Sequence, residues 1–130
     1  MAIVLRAVLV LGGVLLLYMG SGFLLDPAGS GAGFGVTAEG VHGLTSIRTD
    51  FTSFFGVGGA CLIWGALAQR RDPLVIGGAL MLVALAARLV SLAINGPFDG
   101  YIAPIVFEAV VGMAAIWGSR MLPAAKAANG

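Results

Sequence analysis

The sequence predicts an all-α integral membrane protein, a four-helix transmembrane bundle within a single domain. Of its 130 residues, 59% are hydrophobic and only 10% are charged, and the mean hydropathy is +1.03. A soluble domain carries about 25% charged residues, so a surface this poor in charge is suited to lipid rather than water. The apolar residues fall into four runs near the ~20 residues that a helix needs to cross the hydrocarbon core.

The four predicted spans leave one long connection between them. We expect spans at about residues 3–25, 45–68, 74–94 and 102–121, with an external loop at 26–43. Pro73 follows a polar turn and is placed to open the third helix. The first run is longer than the apolar core of a signal peptide and has no A-x-A cleavage site, so we expect an uncleaved span.

The positive charges predict the orientation of the bundle. With four spans, five basic side chains fall on one side of the membrane: Arg6, Arg70, Arg71, Arg120 and Lys126. The other side carries Asp26, Glu39 and Asp99, and no Lys or Arg outside the helices. Because cytoplasmic segments are enriched in Lys and Arg, we expect both termini in the cytoplasm.

The composition excludes several classes of function. The net charge of +1 gives no basic surface for nucleic acid. Cys61 is the one cysteine and His42 the one histidine, so one chain cannot form a disulfide, a thiolate metal cage or a bis-histidine haem site. The glycine-rich segment 29–35 follows no strand, which argues against a nucleotide loop. We therefore predict no cofactor, no metal site and no recognisable catalytic motif.

Arg88 and Glu108 are the two charges that most need explanation. Each lies inside a long apolar run, where an isolated charge costs about 2.5–3.5 kcal/mol. Arg88 shares a helical stripe with Ser91, and both charged residues lie on the small and polar face of their span. At 1.5 Å per residue, both lie roughly 10 Å below the outer surface. We therefore expect them to point inward, at a depth where they can pair.

The second predicted span adds two charges near its outer end. Arg48 and Asp50 lie there, about 200° apart around the helix axis, so they cannot both face the same partner. The predicted polar cluster in the outer half of the bundle comprises Arg48, Asp50, Arg88, Ser91 and Glu108. Two interpretations stay open: the charges neutralise one another and fix the helix register, or they line a pocket that binds a ligand.

These motifs resemble those of a known family. The first motif is Arg48 followed by an aromatic and glycine-rich stretch that ends at Gly59. The second is an Arg-x-x-Ser pattern that starts at Arg88 and is followed by Gly-Pro at 96–97. The third is Glu108 in the last span. The chain resembles, over about residues 3–120, the DUF4345 family of small bacterial four-span proteins, which are similar to DoxX-like membrane proteins. The resemblance supports the four-span fold and the choice of Arg48, Arg88 and Glu108, and it implies a bacterial inner (plasma) membrane. It supplies no reaction. Some DoxX-like relatives are linked to quinone or thiol redox chemistry, a link that transfers poorly to this chain because it lacks a cysteine pair.

Three functional hypotheses follow. The first is an accessory or ligand- and lipid-binding module of the membrane, with the polar cluster holding a head group or a partner helix. The second is a membrane enzyme acting on a lipid or quinone, with Glu108 as acid/base and Arg48 or Arg88 holding negative charge. The third is a small proton-coupled transporter. The expected partners are the lipid bilayer, a lipid or quinone ligand, and a membrane-protein subunit or further copies of the chain, but no nucleic acid.

Overall fold

The structure, a computed structural model, describes residues 1–128 and is built from helices. The helices are α1 (Ala2–Leu25), α2 (Pro27–Gly33), α3 (Gly40–Ala68), α4 (Arg71–Asn95) and α5 (Ile102–Ala128). No strand occurs within the described residues, and the predicted all-α fold is confirmed. All helices except the short α2 are long and apolar enough to span a membrane.

The four long helices form an antiparallel ring. α1 packs most extensively on α3, and α4 packs most extensively on α5. Contacts between α3 and α4 join the two pairs, and a narrower seam between α1 and α5 closes the ring. The start of α1 and the end of α5 lie at one end of the bundle, which we call the terminal end. The other end carries α2 and the connection between α4 and α5, and we call it the α2 end.

Glycine residues bring the helices into close contact. A Cβ atom on Gly59 of α3 would lie 2.6 Å from the carbonyl oxygen of Gly13 on α1. A Cβ atom on Gly78 of α4 would lie 3.0 Å from the Cβ of Ala115 and 3.2 Å from the carbonyl oxygen of Gly112, both on α5. Small residues at such crossings let membrane helices gain van der Waals contact that larger side chains would prevent.

Apolar side chains fill the inside of the bundle and also cover its outside. Fully buried residues include Leu9, Leu16, Leu62, Leu74 and Met81. Large apolar side chains exposed on the outer faces include Ile3, Leu11, Val57, Val83 and Met113. In the most apolar part of each long helix, only 22–33% of the residues are buried inside the bundle. An apolar surface of this extent is suited to lipid.

The connection expected as an external loop at 26–43 contains a short helix. Asp26 caps α2 by accepting a hydrogen bond from the backbone N–H of Gly29 at 3.0 Å, and Pro27 opens the helix. Gly31 is buried, and a Cβ there would lie 2.9 Å from the carbonyl oxygen of Val36 and 3.7 Å from the Ile47 side chain on α3. The segment therefore folds against the bundle, with Phe34 at its C-terminal end.

The long helices extend beyond the predicted spans. α3 begins at Gly40 rather than near 45, α4 begins at Arg71 rather than near 74, and α5 continues past Pro123 to Ala128 rather than ending near 121. Hydropathy predicts only the stretch that lies in the hydrocarbon core. A helix can continue beyond that stretch, because its backbone hydrogen bonds do not depend on the polarity of the side chains.

Candidate functional site

Arg88 and Glu108 form a bidentate ion pair that joins α4 to α5. The Arg88 Nη2 donates to Glu108 Oε1 at 2.6 Å, and the Arg88 Nε donates to Oε2 at 3.0 Å and to Oε1 at 3.2 Å. The Glu108 side chain is 8% exposed and that of Arg88 is 29% exposed. Within residues 1–128 this is the one ion pair with a nitrogen–oxygen distance of 4.0 Å or less. The fork geometry is that of the stronger charge-assisted hydrogen bonds.

Small residues next to the pair leave room for both side chains. Ala84 lies one turn before Arg88 on α4, and Gly112 lies one turn after Glu108 on α5. A Cβ on Gly112 would lie 2.8 Å from the Leu82 side chain, so the two helices are close at that level. The sequence therefore brings the two helices together one turn from the charges, while Ala84 keeps space open beside them.

Arg88 retains donors that Glu108 does not use. A guanidinium group has five N–H donors on three nitrogens. Nε and Nη2 bind Glu108, and Nη1 has no hydrogen-bond partner among the described residues. Arg88 also lines three neighbouring cavities, of about 250, 330 and 460 Å³. The pair is therefore neutral as a whole but still presents free N–H groups to open space.

The cavity of about 330 Å³ combines an aromatic wall with the ion pair, and we call it the phenylalanine cavity. Its lining consists of Phe34, Asp50, Phe51, Phe54, Phe55, Ala84, Arg88 and Glu108. The aromatic rings come from α3 and from the residue after α2, whereas the ion pair comes from α4 and α5. A mostly apolar hollow with a few convergent polar groups is typical of a small-molecule site.

The aromatic wall is a continuous cluster of rings. Phe51 stacks on the buried Phe23 with ring centroids 4.5 Å apart, and Phe54 meets Phe55 edge to face at 5.2 Å. Phe34 reaches back from the end of α2 to Phe23 and Phe55, at 5.2 and 5.8 Å. These contacts hold α2 against α3 and fix the shape of the cavity wall.

Asp50 contributes a charge that no basic side chain neutralises within residues 1–128. It is exposed and lies on α3, one turn before Phe54. The Thr49 hydroxyl lies 3.4 Å from its carboxylate but closer, at 3.0 Å, to the backbone carbonyl oxygen of Thr45. Because the residue also lines the phenylalanine cavity, the cavity wall carries a free carboxylate beside the neutralised pair.

Two residues of the predicted cluster lie outside this cavity. The Nε of Arg48 donates to the backbone carbonyl of Leu24 at 3.1 Å, which ties α3 to the end of α1. Ser91 lines the neighbouring cavity of about 250 Å³, and its hydroxyl accepts a hydrogen bond from Asn95 Nδ2 at 3.3 Å. The structure thus brings Asp50, Arg88 and Glu108 together, and it places Arg48 at a different helix contact.

The sequence analysis did not single out the aromatic wall as part of the site. Phe51, Phe54 and Phe55 follow Asp50 at the spacing of one helix face. Aromatic residues on the same helix face as an ionisable residue were the pattern from which this wall could have been predicted. The position of Phe34 depends on the path of α2, for which the sequence carries no comparable pattern.

The family model described as "Domain of unknown function (DUF4345)" matches residues 4–119. The chain belongs to the DUF4345 family. No curated protein and no solved structure matches the chain significantly. The matched segment contains the whole phenylalanine cavity and the Arg88–Glu108 pair. In this DUF4345 protein the candidate site therefore belongs to the family domain rather than to an appended segment.

Proposed function

We propose that this DUF4345 protein is a non-catalytic, multi-pass membrane protein that binds an amphipathic small molecule or lipid in the phenylalanine cavity. The observation that carries the proposal is the meeting of an aromatic wall, the Arg88–Glu108 pair and Asp50, which has no basic partner within residues 1–128, in one hollow of about 330 Å³. The rings suit the apolar body of a ligand, and the polar groups suit its head.

A purely structural role accounts for only part of this arrangement. The ion pair by itself would fix the register of α4 against α5. A structural ion pair would not require open space beside the guanidinium, since close packing of helices stabilises the interior of a membrane protein. Arg88 instead borders three cavities and keeps a nitrogen free of partners within residues 1–128.

The geometry favours binding over acid/base catalysis. A general acid or base must reach the proton that it transfers. Both carboxylate oxygens of Glu108 already accept hydrogen bonds from Arg88, and the side chain is 8% exposed. Glu108 is therefore held as a partner for Arg88 rather than presented to a substrate.

The geometry also favours binding over transport. The cavity lies in the half of the bundle near the α2 end. The buried side chains in the half toward the terminal end include Leu9, Leu62, Leu74 and Leu122. Ser119 is a buried polar residue in that half, and its hydroxyl is already bonded to the carbonyl of Ile116 at 2.7 Å. A coupled transporter needs a polar path to both sides of the membrane. In the described residues, the interior of this half of the bundle is filled mainly by apolar side chains.

The proposal includes an orientation. The five basic residues outside the α2 half lie on helices and turns at the terminal end: Arg6, Arg70, Arg71, Arg120 and Lys126. The preference of Lys and Arg for the cytoplasmic side supports both termini in the cytoplasm of a bacterial cell. The phenylalanine cavity would then lie in the outer leaflet of the inner membrane.

The test is native mass spectrometry of gently extracted protein. Ala84 lines the phenylalanine cavity, and Ala84→Phe would fill it without changing a charge. Ala86 is exposed on the same helix, so Ala86→Phe is the matched control. We expect a bound small molecule or lipid on the wild type and on Ala86→Phe, and its loss from Ala84→Phe.

Circular dichroism melting confirms that each variant is folded, and Ala84→Leu provides a smaller obstruction if the phenylalanine is not tolerated. Bare protein in all samples, or the same adduct on all of them, would overturn the binding proposal.

A further inference from the structure

We infer that the phenylalanine cavity selects an amphipathic organic cation over an anion of similar size. This inference rests on the proposed binding function and names the class of ligand. It follows from the charges that line the cavity, from its aromatic wall and from the way in which Arg88 is engaged.

The first step is the charge of the cavity wall. Three ionisable side chains line it: Asp50, Arg88 and Glu108. Glu108 binds the guanidinium with both oxygens, so the positive charge of Arg88 is cancelled at close range. The carboxylate of Asp50 is left over, and the wall carries a net charge of −1 when both acids are ionised. This excess of negative charge attracts a cation and repels an anion.

The second step is the aromatic lining. Phe34, Phe51, Phe54 and Phe55 all border the same hollow as the carboxylate. The faces of aromatic rings carry negative electrostatic potential and attract cations, and grouped rings are a recurrent site for quaternary ammonium groups. The cavity therefore offers two attractions for a cation, while an anion would gain from neither.

The third step concerns the free donors of Arg88, which by themselves would suit an anion. An anion bound to Arg88 inside the phenylalanine cavity would share that cavity with the carboxylates of Asp50 and Glu108, which would repel it. A neutral oxygen, such as a carbonyl or hydroxyl, could accept the same hydrogen bond without that repulsion. We therefore assign the cationic group of the ligand to Asp50 and the rings, and a neutral acceptor on the same ligand to Arg88.

The test compares two probes of similar size and opposite charge. Benzyltrimethylammonium and phenylmethanesulfonate each join a phenyl ring to a charged head group through one methylene, and both dissolve in water. Binding to the full chain in dodecyl maltoside is measured by isothermal titration calorimetry. We expect saturable binding of the cation and binding of the anion that is at least tenfold weaker, a difference of about 1.4 kcal/mol.

Three variants locate the effect. Asp50→Asn should weaken binding of the cation by about tenfold or more, again about 1.4 kcal/mol, and Phe54→Leu should weaken it without any change of charge. Glu39→Gln removes an exposed carboxylate outside the cavity and should leave the affinity unchanged.

Tighter binding of the anion, equal binding of both probes, absence of binding by either, or an unchanged affinity in folded Asp50→Asn would each overturn the assignment of a cation. The binding function itself is decided separately, by the adduct that Ala84→Phe removes. A ligand lost from that variant together with tighter binding of the anionic probe would keep the proposed function and reject the cationic class.

Discussion

Arg88 and Glu108 are each the main electrostatic partner of the other, so removing one should cost more than removing both. Arg88→Ala leaves a carboxylate that is 8% exposed without its cation, and we expect the free energy of unfolding to fall by about 3 kcal/mol. Adding Glu108→Ala should recover much of that loss. Thermal melts in detergent of the two single variants and the double variant measure the coupling.

Arg48→Ala serves as the comparison for this cycle. It removes a hydrogen bond from an exposed guanidinium to the carbonyl of Leu24, and its cost should be only about 1 kcal/mol. Additive losses in the Arg88 and Glu108 double variant would contradict a stabilising pair.

The Arg88–Glu108 contact was predictable because depth and helix face both follow from counting residues within uninterrupted helices. The separation of Arg48 from Asp50 was predictable in the same way, since two residues on one helix differ by a fixed angle. Which of the two would lie beside the ion pair was not predictable. That depends on how α3 is rotated between α1 and α4, and the packing of glycines at both contacts decides it.

At the scale of the helix, the contact between α1 and α3 depends on the absence of a side chain at Gly59. A Cβ there would lie 2.6 Å from the Gly13 carbonyl oxygen and 2.9 Å from Leu17. Backbone atoms cannot move aside as the end of a side chain can. We expect Gly59→Ala to lower the free energy of unfolding by about 1–3 kcal/mol, measured by unfolding in mixed micelles.

Gly56 provides the control, one turn earlier on the same helix. A Cβ at Gly56 meets no atom within 4 Å. Because alanine has the higher helix propensity, Gly56→Ala should be neutral or stabilise by up to about 1 kcal/mol. Equal destabilisation by the two substitutions would show that helix packing at Gly59 is looser than the structure indicates.

The helical state of α2 could not be predicted from the pattern of its residues. Three of its seven residues are glycine, and glycine disfavours helix by about 1 kcal/mol relative to alanine. Its helical state depends on the Asp26 cap and on the packing of Gly31 and Phe34 against the bundle. Contacts of this kind arise only once α1 and α3 are in place, so the segment was expected as a loop.

For the molecule as a whole, the orientation in the membrane can be tested with single cysteines. Cys61→Ser provides a background without cysteine, and Thr37 and Lys126 are exposed at opposite ends of the bundle. We expect Thr37→Cys to react with a membrane-impermeant maleimide in intact cells. Lys126→Cys should react only after the cells are made permeable. The reverse pattern would place the phenylalanine cavity on the cytoplasmic side.

The number and order of the long helices followed from the sequence because lipid imposes a simple length requirement on apolar runs. The ring order depends on which small residues face which neighbour. The sequence offers glycines at many positions, and only the assembled bundle shows which of them lie at contacts. The sequence does not distinguish Gly59 from Gly56, yet a Cβ on Gly59 would meet the backbone of α1 and a Cβ on Gly56 would meet open space.

The depth of the phenylalanine cavity determines which ligand concentration, that in the lipid or that in the buffer, sets its occupancy. Glu108 lies six residues into α5, which is about 9 Å along the helix axis. A ligand that reaches this level from the bilayer is first diluted in the lipid, so the lipid acts as its reservoir. Occupancy would follow the mole fraction of ligand in the membrane rather than its concentration in the buffer. One intrinsic dissociation constant would then give different apparent values at different lipid-to-protein ratios.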